Sequence, residues 1–120
     1  MKQYQIINAY KNLEALSENE RLTDFDQWNI YKLRKILKPH IEFQAERENA
    51  LLDKYRQYAN DKGILEGEAM QNYIKDLQEL SQLDAEIEQF TKPKIKITQG
   101  MTLKIIEPLE DFIEFTEPAE

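Results

Sequence analysis

One apolar stripe over residues 24 to 60 constrains the fold of this chain more than any other feature. Apolar side chains recur there at spacings of three and four residues, and the opposite side is charged, which indicates a single amphipathic helix. The stripe consists of Phe25, Trp28, Leu33, Ile36, Leu37, Ile41, Ala45, Leu51, Leu52, Tyr55 and Tyr58. This helix is longer than most helices of globular proteins. It is therefore expected to form an arm that needs a partner to cover it.

Two local features define where this helix begins and whether it is interrupted. Thr23 precedes the stripe and Asp26 follows three residues later, which is the spacing of a capping box. Pro39 falls in the middle, where it removes one backbone hydrogen bond and crowds the carbonyl of Lys35. Because the stripe stays in register on both sides of Pro39, we predict one continuous, kinked helix. The adjacent residue, His40, is the only histidine and is not predicted to be a functional site.

The sequence NDKG at positions 60–63 predicts a turn. A second amphipathic stripe follows and predicts a helix over residues 68–83. Because the link is short, this helix is expected to run antiparallel to the first and to form a hairpin over residues 24–83. The main core is predicted to consist of Trp28, Leu33, Ile36, Leu37, Tyr73, Ile74, Leu77 and Leu80.

The two ends of the chain predict smaller elements. Apolar spacing over residues 5–18 predicts a short N-terminal helix near the base of the hairpin. Alternating lysine and isoleucine predicts a strand at residues 95–97, while residues 101–106 fit either a strand or a helix. A C-terminal helix is predicted over residues 107–114, followed by a frayed tail that ends at Glu120. The expected fold is a single α+β domain over residues 1–120, predominantly α, with a mixed C-terminal part at residues 85–115.

Composition narrows the classes of function. The chain has no cysteine and a net charge of −7, which excludes disulfides and argues against general affinity for nucleic acid. No apolar run approaches the roughly 20 residues of a spanning helix, and the N-terminus lacks the apolar core of a signal peptide. A cytoplasmic location without membrane contact is expected. Phosphate loops, serine elbows and zincin helices are missing from the sequence, so we predict no enzyme activity, no cofactor and no metal site.

Two charged segments are the candidate partner-binding sites. The basic segment contains Lys32, Arg34, Lys35 and Lys38 and directly follows Trp28 and Tyr31. Basic groups interleaved with aromatic rings can bind phosphates and stack on bases, whereas the simpler interpretation is a solvated helix face with Trp28 in the core. The acidic segment contains Glu107, Glu110, Asp111 and Glu114. The charge asymmetry favours contact between the two segments, within one chain or between two copies.

Four segments, in order, give the chain a recognisable pattern: the opening INAYKNLEALSE, the NDKG turn, the isoleucine-rich extended segment and the closing IIEPLEDFIEF. Together they span almost the whole chain and resemble a family of small, uncharacterised bacteriophage proteins, mainly from tailed phages of Gram-positive hosts. The family has no established activity. The resemblance therefore implies an origin, namely a phage or prophage protein that acts in the bacterial host cytoplasm.

The leading functional hypothesis is a non-enzymatic phage protein-interaction module that binds a host or phage protein or self-associates through its hairpin. One version is an inhibitor of a host defence or regulatory protein, since a small acidic protein can occupy a basic surface. Another version is a virion or assembly accessory factor. The alternative is a nucleic-acid-binding accessory protein that uses the basic run at residues 32–38.

Overall fold

The computed structural model describes residues 1–118, so Glu120 of the predicted tail lies outside the described residues. Within that range there are four α-helices: α1, Gln3–Ser17; α2, Asp24–Arg56; α3, Gly67–Ser81; and α4, Leu103–Ile106. A 3₁₀ turn at Glu107–Leu109 continues α4. Two strands, β1 at Lys94–Lys96 and β2 at Glu114–Thr116, form a parallel sheet. The fold is therefore α+β and predominantly α, as predicted.

Helix α2 organises the rest of the fold. It has 33 residues and is about 50 Å long at 1.5 Å per residue. The predicted capping box is confirmed: the amide of Asp26 donates to Thr23 Oγ1 over 3.1 Å, and the amide of Thr23 donates to Asp26 Oδ2 over 3.3 Å. The predicted continuity through Pro39 is also confirmed. Pro39 and Lys35 are both exposed, so water can solvate the Lys35 carbonyl that the proline leaves without a helical donor.

Helices α1 and α3 lie end to end along α2. The side chain of Gln27 donates to the carbonyl of Ser17 over 2.8 Å at one end of α1, and that of Gln3 donates to the carbonyl of His40 over 2.7 Å at the other. Helix α1 is therefore antiparallel to the first half of α2, and α3 covers the second half. The end of α3 meets the start of α1, where the amide of Gln3 donates to the carbonyl of Leu83.

The hydrophobic core lies between α1, the first half of α2 and the C-terminal part. Its buried members are Ile6, Ala9, Leu13, Leu16, Ile30, Leu33, Leu37, Ile95, Leu109, Phe112 and Ile113. The predicted hairpin core is therefore only partly correct. Leu33, Leu37 and Leu80 are buried and Ile36, Tyr73 and Leu77 are half-buried, but Trp28 and Ile74 are exposed.

The position of Trp28 follows from helix geometry. Trp28 and Leu37 are nine residues apart, which is two and a half turns, so they point to opposite sides of α2. Only one side faces α1, and Leu33 and Leu37 occupy that side. The apolar stripe was too wide to be buried by a single neighbour, and the aromatic edge of the stripe stays in water.

The C-terminal helix predicted over residues 107–114 is wrong in its bounds. The helical turns end at residue 109, and the chain then enters β2. The amide of Glu114 donates to the carbonyl of Pro93 over 2.9 Å, and the amide of Ile97 donates to the carbonyl of Thr116 over 3.0 Å. Pairing with β1 thus satisfies backbone groups that a continued helix would have used within itself. Residues 103–106, which fitted either a strand or a helix, are helical.

The distal half of the hairpin, residues 43–77, extends beyond the core as a two-helix arm. The molecule measures 60 × 28 × 19 Å and has a Cα radius of gyration of 18.1 Å, against about 14 Å for a compact chain of this length. Within the arm, Tyr55 Oη donates to Asp76 Oδ2 over 2.5 Å, and the Tyr55 ring meets that of Tyr73 edge-on at 5.6 Å between centroids. A few side-chain contacts therefore hold the arm together.

Candidate partner-binding surface

The exposed side of the first half of α2 carries aromatic and basic side chains together. Residues spaced by three and four positions share one side of a helix. On this side they are Phe25, Trp28, Tyr31, Lys32, Lys35 and Lys38, which we call the aromatic–basic face. It lies opposite the side that packs against α1.

The aromatic side chains of this face are unusually accessible. Phe25 is 70% exposed, Trp28 54% and Tyr31 51%. The rings of Trp28 and Tyr31 stack with their centroids 5.6 Å apart and an interplanar angle of 24°. Lys32 Nζ lies 6.0 Å from the Trp28 ring centroid, within the range of a cation–π contact. The three side chains thus contact one another on the surface of α2.

The predicted basic segment is divided between two sides of α2. Lys32, Lys35 and Lys38 are exposed, and no carboxylate of residues 1–118 lies within 4 Å of their amino groups. Arg34 instead turns towards α1. Its guanidinium carbon lies 5.5 Å from the Tyr10 ring centroid, and its Nη2 lies 3.9 Å from Glu14 Oε1. The aromatic–basic face therefore has three lysines available to a partner.

The acidic segment is exposed but forms no ion pair with the basic segment in the described part of the chain. Its members are Glu107, Glu110, Asp111 and Glu114. Lysines of the sheet region lie beside it instead: Lys92 Nζ donates to the carbonyl of Glu110 over 2.8 Å, and Lys94 is in register with Glu114. The two candidate segments are thus not brought together within one chain. Contact between two copies remains a prediction.

A shallow cleft adjoins the aromatic–basic face. It has a volume of about 270 Å³ and lies between α2 and the extended segment at residues 90–93. Lys32 and Ile36 line it from α2, and Phe90 and Pro93 line it from the other side. The cleft is large enough to hold a small apolar group beside Lys32.

Exposure of the aromatic–basic face was missed from the sequence because Trp28 was assigned to the core. The signal was present in the spacing, since Trp28 lies about 140° from Leu33 and about 180° from Leu37 around the axis of α2. His40 is half-buried, and its backbone carbonyl accepts the hydrogen bond from Gln3. Among residues 1–118, no three His, Asp or Glu side chains are grouped so as to hold a metal ion.

None of the described helices combines the length and apolar character needed to cross a membrane. No protein-family model matches the chain, and neither the curated proteins nor the solved structures give a match. Fold and surface together define a small, predominantly helical protein with an exposed aromatic–basic face. The resemblance to phage proteins stays a prediction.

Proposed function

We propose that this protein is a non-enzymatic protein-interaction module and that the aromatic–basic face binds its partner. The single observation that supports this most is the exposure of Phe25, Trp28 and Tyr31 side by side on one helix. Clustered aromatic side chains on the surface of a folded protein mark interaction sites. Trp and Tyr are also the residue types most enriched among those that dominate binding free energy.

The charge of the face defines the chemistry of the partner. The three lysines follow the aromatic rings along the face, and no carboxylate of residues 1–118 lies within 4 Å of their amino groups, so a complementary surface has an apolar part with carboxylates beside it. The lysines accelerate association with the partner and orient it. The aromatic rings, which become buried in the complex, provide most of the binding free energy. The partner is accordingly a protein with an acidic, apolar-centred surface.

The predicted origin supplies the cellular setting of this proposal. The resemblance of the opening and closing segments to phage proteins supports a partner from the host or the phage in the bacterial cytoplasm. Inhibition of a host defence or regulatory protein and a role in virion assembly are two versions of the same binding activity. The identity of the captured protein distinguishes the two versions.

Alanine and charge variants test the proposal. We expect Trp28→Ala to weaken partner binding by about 30-fold, since truncation of a dominant interface residue costs roughly 2 kcal/mol or more. Lys35→Glu should slow association and weaken the salt dependence of binding. The measurement is quantitative affinity purification from infected bacteria, followed by titration of the purified pair.

Matched controls lie elsewhere on the surface. Leu103 is 69% exposed on α4, and Lys62 is exposed in the hairpin turn. Leu103→Ala and Lys62→Glu should bind like the parent protein. If all four variants capture the same proteins in the same amounts, the aromatic–basic face is not the binding surface.

Binding of single-stranded nucleic acid is the alternative use of the same face. The stacked pair of Trp28 and Tyr31 with Lys32 is an arrangement on which bases can stack. The net charge of −7 opposes it. We expect no quenching of Trp28 fluorescence by short single-stranded DNA or RNA at about 50 mM salt, where electrostatic affinity is high. Salt-dependent quenching that is lost in Lys35→Glu would assign the face to nucleic acid instead.

Self-association through the arm is a second candidate. Leu52 on α2 and Met70 and Ile74 on α3 are exposed apolar side chains in the part of the hairpin that α1 does not cover. Light scattering after size exclusion would show a dimer that Ile74→Glu converts to a monomer. A parent protein that is monomeric at all concentrations would eliminate this candidate and leave the aromatic–basic face untouched.

A further inference from the structure

An open cleft of about 300 Å³ lies between α1 and α2. Tyr10 lines it from α1, and Tyr31, Arg34, Lys35 and Lys38 line it from α2. Two phenol rings and three cationic side chains thus surround one space.

The cleft carries a net positive charge. Arg34, Lys35 and Lys38 contribute three positive charges, and Glu14, 3.9 Å from Arg34 Nη2, contributes one negative charge. The net charge of the side chains around the cleft is therefore close to +2. Because these side chains are partly exposed, solvent weakens but does not remove their attraction for an anion.

The Arg34 guanidinium has donor capacity that the protein does not use. Its Nε is buried and has no hydrogen-bond partner among the described residues. The separation of 3.9 Å between Nη2 and Glu14 Oε1 is longer than a hydrogen bond. A buried donor without an acceptor costs free energy, but a ligand does not reach this Nε, so an oxyanion in the cleft would bind at the Nη end of the guanidinium.

We propose that this cleft binds the dianion of a phosphate monoester. Phosphate monoesters carry a charge between about −1.5 and −2 at pH 7, which matches the net charge of the cleft better than a single carboxylate does. The planar guanidinium of Arg34 matches two phosphate oxygens in a bidentate pair. Lys35, Lys38 and the two phenol hydroxyls supply the remaining donors, and the tyrosine rings contact the organic group of the ester.

The cleft and the aromatic–basic face share Tyr31, Lys35 and Lys38 but differ in their other members. Tyr10 and Arg34 belong to the cleft alone, and Phe25 and Trp28 belong to the face alone. The phosphate site does not depend on the proposed protein partner. Variants of Arg34 and of Trp28 therefore separate failure of one proposal from failure of the other.

The test is an NMR titration of the full chain labelled with ¹⁵N. The ligands are inorganic phosphate, phenyl phosphate, a short phosphoserine peptide and a nucleoside 5′-monophosphate, each compared with sodium chloride at equal ionic strength. We expect saturable shifts of the amides of Tyr10, Arg34 and Lys38 with the phosphates and none with chloride. The ester that binds most tightly identifies the source of the phosphate group, peptide or nucleotide.

Substitutions at Arg34 complete the test. Arg34→Gln should weaken phosphate binding about 10-fold or more, because a charge-assisted bidentate contact is lost. Arg34→Lys keeps the positive charge but loses the planar guanidinium that donates two parallel hydrogen bonds, so it should bind phosphate with intermediate affinity. Lys62→Gln should bind like the parent protein, and circular dichroism checks that all variants fold.

Two results would overturn the proposal. One is a set of shifts that spread over all lysines and follow ionic strength alone, with chloride and phosphate equivalent. The other is unchanged phosphate affinity in a folded Arg34→Gln variant. Either result would show that the cleft is only an incidental basic surface.

Discussion

Tyr55 and Asp76 show how one pair of side chains joins the two helices of the arm. The hydrogen bond from the Tyr55 hydroxyl lowers the pKa of the Asp76 carboxyl below its ordinary value of 3.8 and raises the pKa of Tyr55 to about 12. Lys54 Nζ, 3.6 Å from Asp76 Oδ2, adds to the lowering. Such a pair, 21 residues apart, has no local sequence signal, because its contact depends on how α3 aligns with α2.

The pKa shift of Asp76 gives a pH-dependent prediction. A lowered folded-state pKa means that the contact stabilises the fold above about pH 4 and that this contribution is lost as the pH falls through the folded-state pKa. Tyr55→Phe keeps the ring against Tyr73 but removes the hydroxyl, so it should lower the free energy of unfolding at pH 7. The deficit should shrink as the pH falls through the lowered pKa of Asp76, because the parent protein then also loses the carboxylate that accepts this hydrogen bond.

Urea unfolding followed by circular dichroism, at pH 7 and at a pH below the folded-state pKa of Asp76, measures this difference. Tyr58→Phe serves as the control, because Tyr58 is exposed and lies one turn from Tyr55. An equal deficit at the two pH values would mean that the Asp76 carboxylate is not the partner that matters.

At the scale of elements, features that depend on neighbouring residues were predictable and those that depend on distant ones were not. The beginning of α2 at Thr23, its passage through Pro39 and the hairpin turn all follow from local spacing. The strand β2 does not, because its partner β1 lies about 20 residues earlier and the segment also has the periodicity of a helix. Backbone hydrogen bonds to β1 stabilise the strand rather than the helix in this segment.

Pro39 gives a prediction about helix stability. Alanine at this position restores the backbone amide that donates to the carbonyl of Lys35 and removes the steric crowding of the ring. Pro39→Ala should therefore raise the free energy of unfolding, by up to about 3 kcal/mol. Urea denaturation measures the change, and a clearly less stable variant would show that the fold requires the proline.

The capping box of α2 gives a prediction with a matched control. Thr23→Ala removes the acceptor for the Asp26 amide and should lower the free energy of unfolding by about 1 kcal/mol. Thr102 stands at the same position before α4, but its side chain makes no cap hydrogen bond. Thr102→Ala should be close to neutral. Equal losses in both variants would remove the capping explanation.

At the scale of the molecule, α1 determines where the core forms. The sequence indicated an N-terminal helix and a hairpin. It did not indicate that α1 would pack against the side of the first half of α2 that carries Leu33 and Leu37. Helix α1 does so because the end of α3 meets the start of α1, which places α1 in line with α3 along α2. This arrangement leaves the aromatic edge of α2 uncovered, so the candidate surface follows from the tertiary arrangement.

The elongated shape is itself testable. Small-angle scattering of the monomer should give a radius of gyration near the 18.1 Å of the structure, well above the roughly 14 Å of a compact chain. A value near the compact limit would mean that the arm folds back onto the core in solution.

Site-specific photo-crosslinking tests the central claim most directly. A photoreactive phenylalanine analogue is placed at position 28 or, as the control, at position 103, and infected bacteria that make either protein are irradiated. If the aromatic–basic face binds the partner, position 28 gives one discrete protein adduct that Lys35→Glu diminishes, and position 103 gives none. Absence of an adduct at position 28, or equal adducts at both positions, would contradict the claim.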